Sequence, residues 1–392
     1  MHSFQLDNDL ELFRQDVRTL AEKEFTAKAA HWDEHEIYPE ENKNLLAELG
    51  YLGMLIPEQY GGLGLPIIQG AVFLEEIART CFNTALVAQL YLNGPAKALF
   101  ELGTEEQKQR LLPALIKGEH LIAISISEPG AGSAVTDLTT NVKKVGNDYI
   151  LNGTKCFTTA GVEATHALVF ARFGDSKGSR GIGAVLVDKG MEGFSVGKPE
   201  RKMGGRAVKE AELHFDQVRI PKANIVVEGT PESSASFKRL MSSFGPERVG
   251  NAAMCVGISQ GAYETALAYS ETREQFGRPI AEFQGIQWKI ADMATQLHAA
   301  RLMTYRAATH LKNGFPDPLE CAMAKLYANE MAQRVTNEAL QIHGHYGYCR
   351  DYPLERMVRD VRGFFLGGGT PEILRNTIAA QCYGRSFNQR RA

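Results

Sequence analysis

From Asn8 to Phe25 the apolar residues Leu10, Phe13, Val17 and Leu20 recur at intervals of three and four, which places them on one face of an amphipathic helix. A second helix is predicted between Pro39 and Gly50, with apolar Leu45, Leu46 and Leu49 and the proline and glycine at the ends where each is tolerated. Gly94-Pro95 to Gly103 has the same form, and Thr104 with Gln107 forms a capping box for a further helix that Gly118 closes. The pattern changes after that. Leu121–Ser127, Tyr149–Leu151, Ala167–Phe170 and Ala184–Val187 are short apolar, β-branched or aromatic runs separated by Gly, Asn and Asp. Gly146-Asn147-Asp148 predicts a hairpin turn, and with no long helices between the runs an antiparallel sheet is expected rather than a doubly wound parallel one. After Pro231 the helical period returns over Phe237–Thr272, Gln284–Lys312, Pro318–His343 and Thr370–Tyr383.

The expected architecture is therefore mainly α with a middle β domain. A helical domain spans 1–119, an antiparallel β domain 120–230, and a four-helix bundle 231–392. Gly61-Gly62-Leu63-Gly64 lies between helices rather than after a strand, so it reads as a loop and not as a phosphate cradle. The 392 residues are 44% apolar and 23% charged, enough for a large core; 43 Lys and Arg against 46 Asp and Glu leave a net charge of −3, which argues against nucleic-acid binding. Six cysteines (Cys81, Cys156, Cys255, Cys321, Cys349, Cys382) show neither a C-x-x-C pair nor zinc spacing, as expected of reduced thiols. Without an apolar leader or an 18-residue apolar run, a cytoplasmic protein with no membrane span is expected. The tail after Gly384, rich in Arg and polar residues, is expected to be a solvated end.

Chemistry is suggested first by Ser125-Ile126-Ser127-Glu128-Pro129-Gly130-Ala131-Gly132-Ser133, a loop of small residues and hydroxyls leaving a strand. Taken alone it reads as a strand-ending turn at least as readily as a cofactor loop. It resembles, however, the Thr/Ser-Glu-Pro-x-Ala-Gly-Ser run of the acyl-CoA dehydrogenase family, with departures at Ser125 and Ala134, where that family has a small residue and Asp. The similarity continues through Leu151-Asn152-Gly153-Thr154-Lys155 into Phe157-Thr158-Thr159, Phe157 standing in the place of a tryptophan. It continues in Arg273-Glu274-Gln275-Phe276-Gly277-Arg278-Pro279-Ile280 with Phe283-Gln284, and in Gln341-Ile342-His343-Gly344-His345-Tyr346-Gly347, where His345 replaces a glycine. His343 and His345 lack the acidic or cysteine partners of a metal site, and no metal is expected.

The resemblance implies FAD, an acyl-CoA or acyl-carrier thioester, an electron-transferring flavoprotein as acceptor, and a homotetramer or homodimer. It implies FAD contacts from Ser127, Ser133, Phe157, Thr159, Arg273, Phe276, Gln284, Gln341, Gly344, Thr370 and Glu372, and thioester contacts from Ser133, Phe244, Arg248 and Gly369. Members of this family often carry their catalytic Glu just before a Gly-Thr pair; here Leu366-Gly367-Gly368-Gly369-Thr370 puts Gly368 there. Glycine cannot take a proton. A second location in the family falls on Phe244-Gly245-Pro246-Glu247-Arg248, which makes Glu247 the candidate base; a first-turn acid favoured by the helix dipole is the plainer reading of the same residue. Arg248 reads equally as a substrate contact or as a brace for Glu247. The expected reaction is α,β-dehydrogenation of an acyl-CoA to a 2-enoyl-CoA. Its rivals are desulfination or enoyl-CoA reduction on the same scaffold, or a non-catalytic flavin- or thioester-binding homologue. Asn83 and Leu86, with no Arg in the helix from Phe82 to Leu92, disfavour a charged acyl tail.

Overall fold

The computed structural model describes residues 6–312 and 314–387; the last residues of the Arg-rich tail and the first five of the chain lie outside these. Helix α1 (Asn8–Glu24) begins where the Asp7 carboxylate accepts the Leu10 N–H at 2.8 Å, and buries Leu10, Val17 and Ala21. A short α2 (Ala29–Glu34), not anticipated from the periodicity, precedes α3 (Glu40–Glu48), past which Gly50 turns left-handed at φ 78°. There follow α4 (Ile67–Thr80), α5 (Phe82–Leu92), α6 (Pro95–Leu102) and α7 (Glu105–Ile116), the last opened by the Thr104/Gln107 capping box.

Eight strands make one sheet: β1 (Ile122–Ser125), β2 (Asn141–Val145), β3 (Asp148–Thr159), β4 (His166–Phe173), β5 (Ile182–Asp188), β6 (Phe194–Pro199), β7 (Glu210–Ile220) and β8 (Ile225–Val227). The order is β6-β7-β3-β2-β4-β5-β8, with β1 also on β4. Most pairs are antiparallel as expected, but β1–β4 and β2–β4 are parallel. Strand direction depends on which run a strand meets in space, and the alternation within a run carries no information about that. The predicted turn joins β2 to β3 as Gly146-Asn147, with Val145 paired to Asp148 and Gly146 alone at positive φ, which is the geometry of a two-residue hairpin.

The long predicted helix from Phe237 is two helices, α8 (Ala235–Ser242) and α9 (Phe244–Thr272). Pro246 has no N–H to continue a ladder from the preceding turn, so a new helix starts there with the proline in its first turn. Helices α10 (Gln284–Thr309), α11 (Pro318–His343), α12 (His345–Tyr348), α13 (Leu354–Arg362) and α14 (Pro371–Cys382) complete the chain, and α9, α10, α11 and α14 pack as the bundle. Helix α9 also packs closely on α4 and α5. A Cβ on Gly250, Gly257 or Gly261 would stand 2.0–2.2 Å from Gln89 Oε1, Glu75 O or Arg79 O. Those three glycines let the N-terminal helices and the bundle share one core. Arg301 and Tyr305 of α10 donate to Glu75 of α4 at 2.8 Å each, closing the same junction with charge.

Candidate active site

The start of α9 and the turn before α14 meet. Glu247 is held in α9's first turn, its backbone carbonyl accepting from Gln89 Nε2 of α5 at 3.1 Å. A Cβ built on Gly368 would lie 3.4 Å from Glu247 Oε1, 2.8 Å from Asn251 Nδ2 and 3.2 Å from Lys325 Nζ. The Glu247 carboxylate thus occupies the surroundings into which a side chain at 368 would project. Burial raises its pKa above the ordinary carboxylate range, while the charges of Lys325 and Arg248 and the Asn251 amide pull it back. Arg248 Nε reaches Gly368 O at 3.5 Å, and burial lowers its pKa. Gly368 and Gly369 have φ of 67° and 104°, which only glycine adopts without strain. Thr370 caps α14 through Ile373 N at 3.3 Å, and Glu372 is exposed in its first turn. Phe244 is buried, its ring edge-on to Phe170 of β4 at 6.3 Å.

The small-residue loop after β1 is anchored from below. Glu128, buried, accepts from Lys155 Nζ (2.8 Å), Thr139 N and Oγ1 (2.7 Å each) and Thr140 N (2.9 Å). Burial alone would raise its pKa, but the Lys155 ammonium and these hydrogen bonds hold it at about 2. Lys155, without exposed surface, is pushed by burial down to about 8 despite Glu128. Both residues stand inside motifs that the sequence displays, yet nothing local marks them as a pair. Above this anchor Ser127 O accepts from Cys156 N at 2.9 Å, which sets Ser127 beside the segment of β3 that carries Phe157, with Thr159 two residues further along the strand. Phe157 has φ 54° and a ring 61% exposed, an aromatic held outward rather than packed. Ser133 is exposed in the loop, where Gly130 and Gly132 have open space beside them. A flat ring system fits this surface: a bare aromatic face, hydroxyls and a low loop.

At the far end of α9, the Arg273 guanidinium lies over the Tyr346 ring at 5.9 Å, next to exposed Gln341 and Gly344. Phe276, with φ 53°, is 94% exposed and touches Phe283 edge-on at 6.1 Å; Gln284 is exposed beside it. The buried His343 ring stacks on Tyr269 at 4.0 Å, and His345 sits near Tyr348. Among the described residues no group of three or more His, Cys, Asp or Glu is placed to hold a metal, and no helix is long and apolar enough to cross a membrane.

Family models match the chain over almost its whole length: an acyl-CoA dehydrogenase N-terminal domain at 7–119, a middle domain at 123–218 and a C-terminal domain at 237–383. The chain belongs to the acyl-CoA dehydrogenase family. It is accordingly an FAD-dependent oxidoreductase acting on a CH–CH bond. It is 40% identical to an acryloyl-CoA reductase (NADH) of Anaerotignum propionicum over 384 residues, covering 97% of this chain and 96% of the relative. It is 40% identical to a 3-sulfinopropanoyl-CoA desulfinase of Advenella mimigardefordensis over 392 residues, covering 99% and 97%. The solved butyryl-CoA dehydrogenase of Megasphaera elsdenii superposes with a TM-score of 0.92 at 34% identity, over 97% of this chain and all of that one.

Within this acyl-CoA dehydrogenase fold the structure brings Glu247, Arg248, Gly368 and Gly369 into one cluster and sets Ser127 beside the β3 segment that carries Phe157. Arg273, Phe276, Gln284, Gln341 and Gly344 share the end of the bundle. Asn251 and Lys325 belong to the first cluster and were not singled out from the sequence. The available signal for Lys325 is a charged residue among Cys321, Ala322, Ala324 and Ala328, all at buried positions of α11.

Proposed function

We propose that the protein oxidises an acyl-CoA thioester to the trans-2-enoyl thioester, with Glu247 taking the proton from C2. The observation that carries this is the Glu247 carboxylate oxygen 3.4 Å from the Cβ position of residue 368, because it supplies a base next to a site where glycine removes the usual one. The burial that raises its pKa makes its carboxylate a stronger base, and an acyl group that excludes water strengthens this. The Gly369 N–H serves the thioester oxygen, stabilising the charge that develops as C2 loses its proton. Arg248 braces Gly368. Bound FAD supplies the acceptor for the hydride leaving C3. Ser127, Ser133, Phe157 and Thr159 hold the ring end; Arg273, Phe276, Gln284, Gln341 and Gly344, with Thr370 and Glu372, serve the remainder. The exposure of Phe276 supports a second copy of the chain packing there, in a dimer or tetramer. The electrons leave to an electron-transferring flavoprotein.

Reduction of an enoyl thioester is the same chemistry reversed, with protonated Glu247 as the acid, and the upward shift of its pKa favours that role as well. Anaerobic mixing with short, long, branched and aromatic acyl-CoAs tests the direction: loss of the oxidised-flavin absorbance supports oxidation. Reoxidation of the prereduced enzyme by enoyl-CoA alone supports reduction, and sulfite release from a sulfinyl thioester overturns both. Glu247→Gln should slow flavin reduction by about 10²–10⁴-fold with FAD retained. An unchanged rate removes Glu247 from the chemistry.

A further inference from the structure

All three carbonyls of the triple-glycine turn face cations, one buried and one half-buried. Lys325, two turns into α11 and without exposed surface, donates to Gly367 O and, at 2.8 Å, to Gly369 O; Arg248 Nε faces Gly368 O at 3.5 Å. In a trans peptide the N–H points opposite to the C=O. Lys325 therefore aims the Gly368 and Thr370 N–H groups away from α11, and Arg248 aims the Gly369 N–H away from itself. Glycines at φ 67° and 104° are free to take other conformations, so the turn needs such ties to keep one peptide orientation.

The placement of Lys325 is costly. Buried among small α11 side chains, an ammonium loses its hydration, and a hydrophobe of similar volume would pack there without that cost. What it gains is proximity to the chemistry. Its Nζ and Glu247 Oε1 lie 3.2 and 3.4 Å from the same point, the Cβ position of residue 368, so the two charges flank Gly368 without forming an ion pair.

We propose that Lys325 is a positioning residue for the reaction at Glu247: it holds the two glycine-turn peptides on either side of the one whose Gly369 N–H meets the thioester, and its charge favours the ionised Glu247 carboxylate. This rests on Glu247 being the base. The ionisable groups facing the pair are Arg248 and Cys255 on α9 and Cys321 on α11; the turn itself has none, and Arg248 keeps acting when Lys325 is neutralised. Burial raises the Glu247 pKa and Lys325 lowers it, so removing the lysine charge raises it further and moves the acid limb of activity upward.

The test is the pH profile of anaerobic flavin reduction in FAD-loaded Lys325→Gln and Lys325→Arg. For Gln the acid limb should move up by about one pH unit, a tenfold loss at a fixed pH below it, with kcat falling more than KM changes. Arg should keep the wild-type limb. A folded, FAD-loaded Lys325→Gln with the wild-type limb and kcat overturns the proposal, as does an Arg variant shifted as far as Gln. Should the Gln variant not fold, the reciprocal measurement decides. Glu247 raises the Lys325 pKa, so in Glu247→Gln protein labelled with ε-13C lysine the Lys325 resonance should titrate below its wild-type value of about 8, and an unmoved titration overturns the proposal. Full activity in Glu247→Gln would sink the base assignment instead, a different result from either of these.

Discussion

Lys155→Met isolates the anchor beneath the small-residue loop. In the native protein Glu128 is held at about 2, against an ordinary 4.5, so it adds stability that is fully present above pH 4.5 and is lost as the pH falls from there towards 2. That shift corresponds to about 3 kcal/mol, of which the Lys155 charge and its 2.8 Å hydrogen bond are the largest favourable part. Methionine fills the volume but leaves a buried carboxylate with only the Thr139 and Thr140 donors. Breaking a buried pair from one side costs about 3–5 kcal/mol, and relief of the lysine's own desolvation, visible in its pKa of about 8, returns part of this. A net loss of about 2–3 kcal/mol is expected. The effect should be local, so the assay is amide hydrogen exchange read by mass spectrometry over residues 126–140. At pH 7 their exchange should quicken by about 30- to 150-fold, and FAD affinity should fall with it. The gap between variant and wild type should narrow as the pH falls below 4.5 towards 2, because the variant's Glu128, without the lysine, takes up its proton while the wild type loses what the pair contributes. Adding Glu128→Gln should restore much of the protection. Unchanged exchange, or a loss that does not depend on pH, would refute the claim that this pair sets the loop.

The remaining expectations concern packing and charge. Gly257→Ala should lower the thermal midpoint although alanine is the better helix former by about 1 kcal/mol, because its Cβ would stand 2.1 Å from Glu75 O and force α9 off α4. A midpoint at or above wild type would mean that the two helices separate freely. Asp360, buried and accepting the Gly205 N–H at 2.7 Å, is pushed by burial and by Asp33 up to about 7. A carboxyl with a raised folded pKa gives its stability below 3.8 and loses it as pH rises to about 7. Asp360→Asn should therefore stabilise the protein by about 2 kcal/mol or more at pH 8 and by little at pH 4, as measured by urea denaturation at the two pH values.

The ends of the helices were legible because capping is a contact over three or four residues: Thr104 with Gln107 and Gly50 past α3 act where they stand in the chain. Four motifs in order pointed to the family for a related reason, since each is a short stretch of backbone and small side chains whose spacing is itself the signal. The sequence also showed that residue 368 cannot be a base. What it could not show is what lies beside Gly368. The parallel pairing of β1 and β2 with β4, the junction of α4 with α9, the Glu128–Lys155 anchor, and the convergence of Glu247, Asn251 and Lys325 on the glycine turn are all contacts between distant segments. A charged residue inside an apolar stripe has the same letter whether its partner is water, a carbonyl or a carboxylate. Only the folded chain decides which of these it meets, because the cost of burying the charge is settled by atoms that arrive from elsewhere in the sequence.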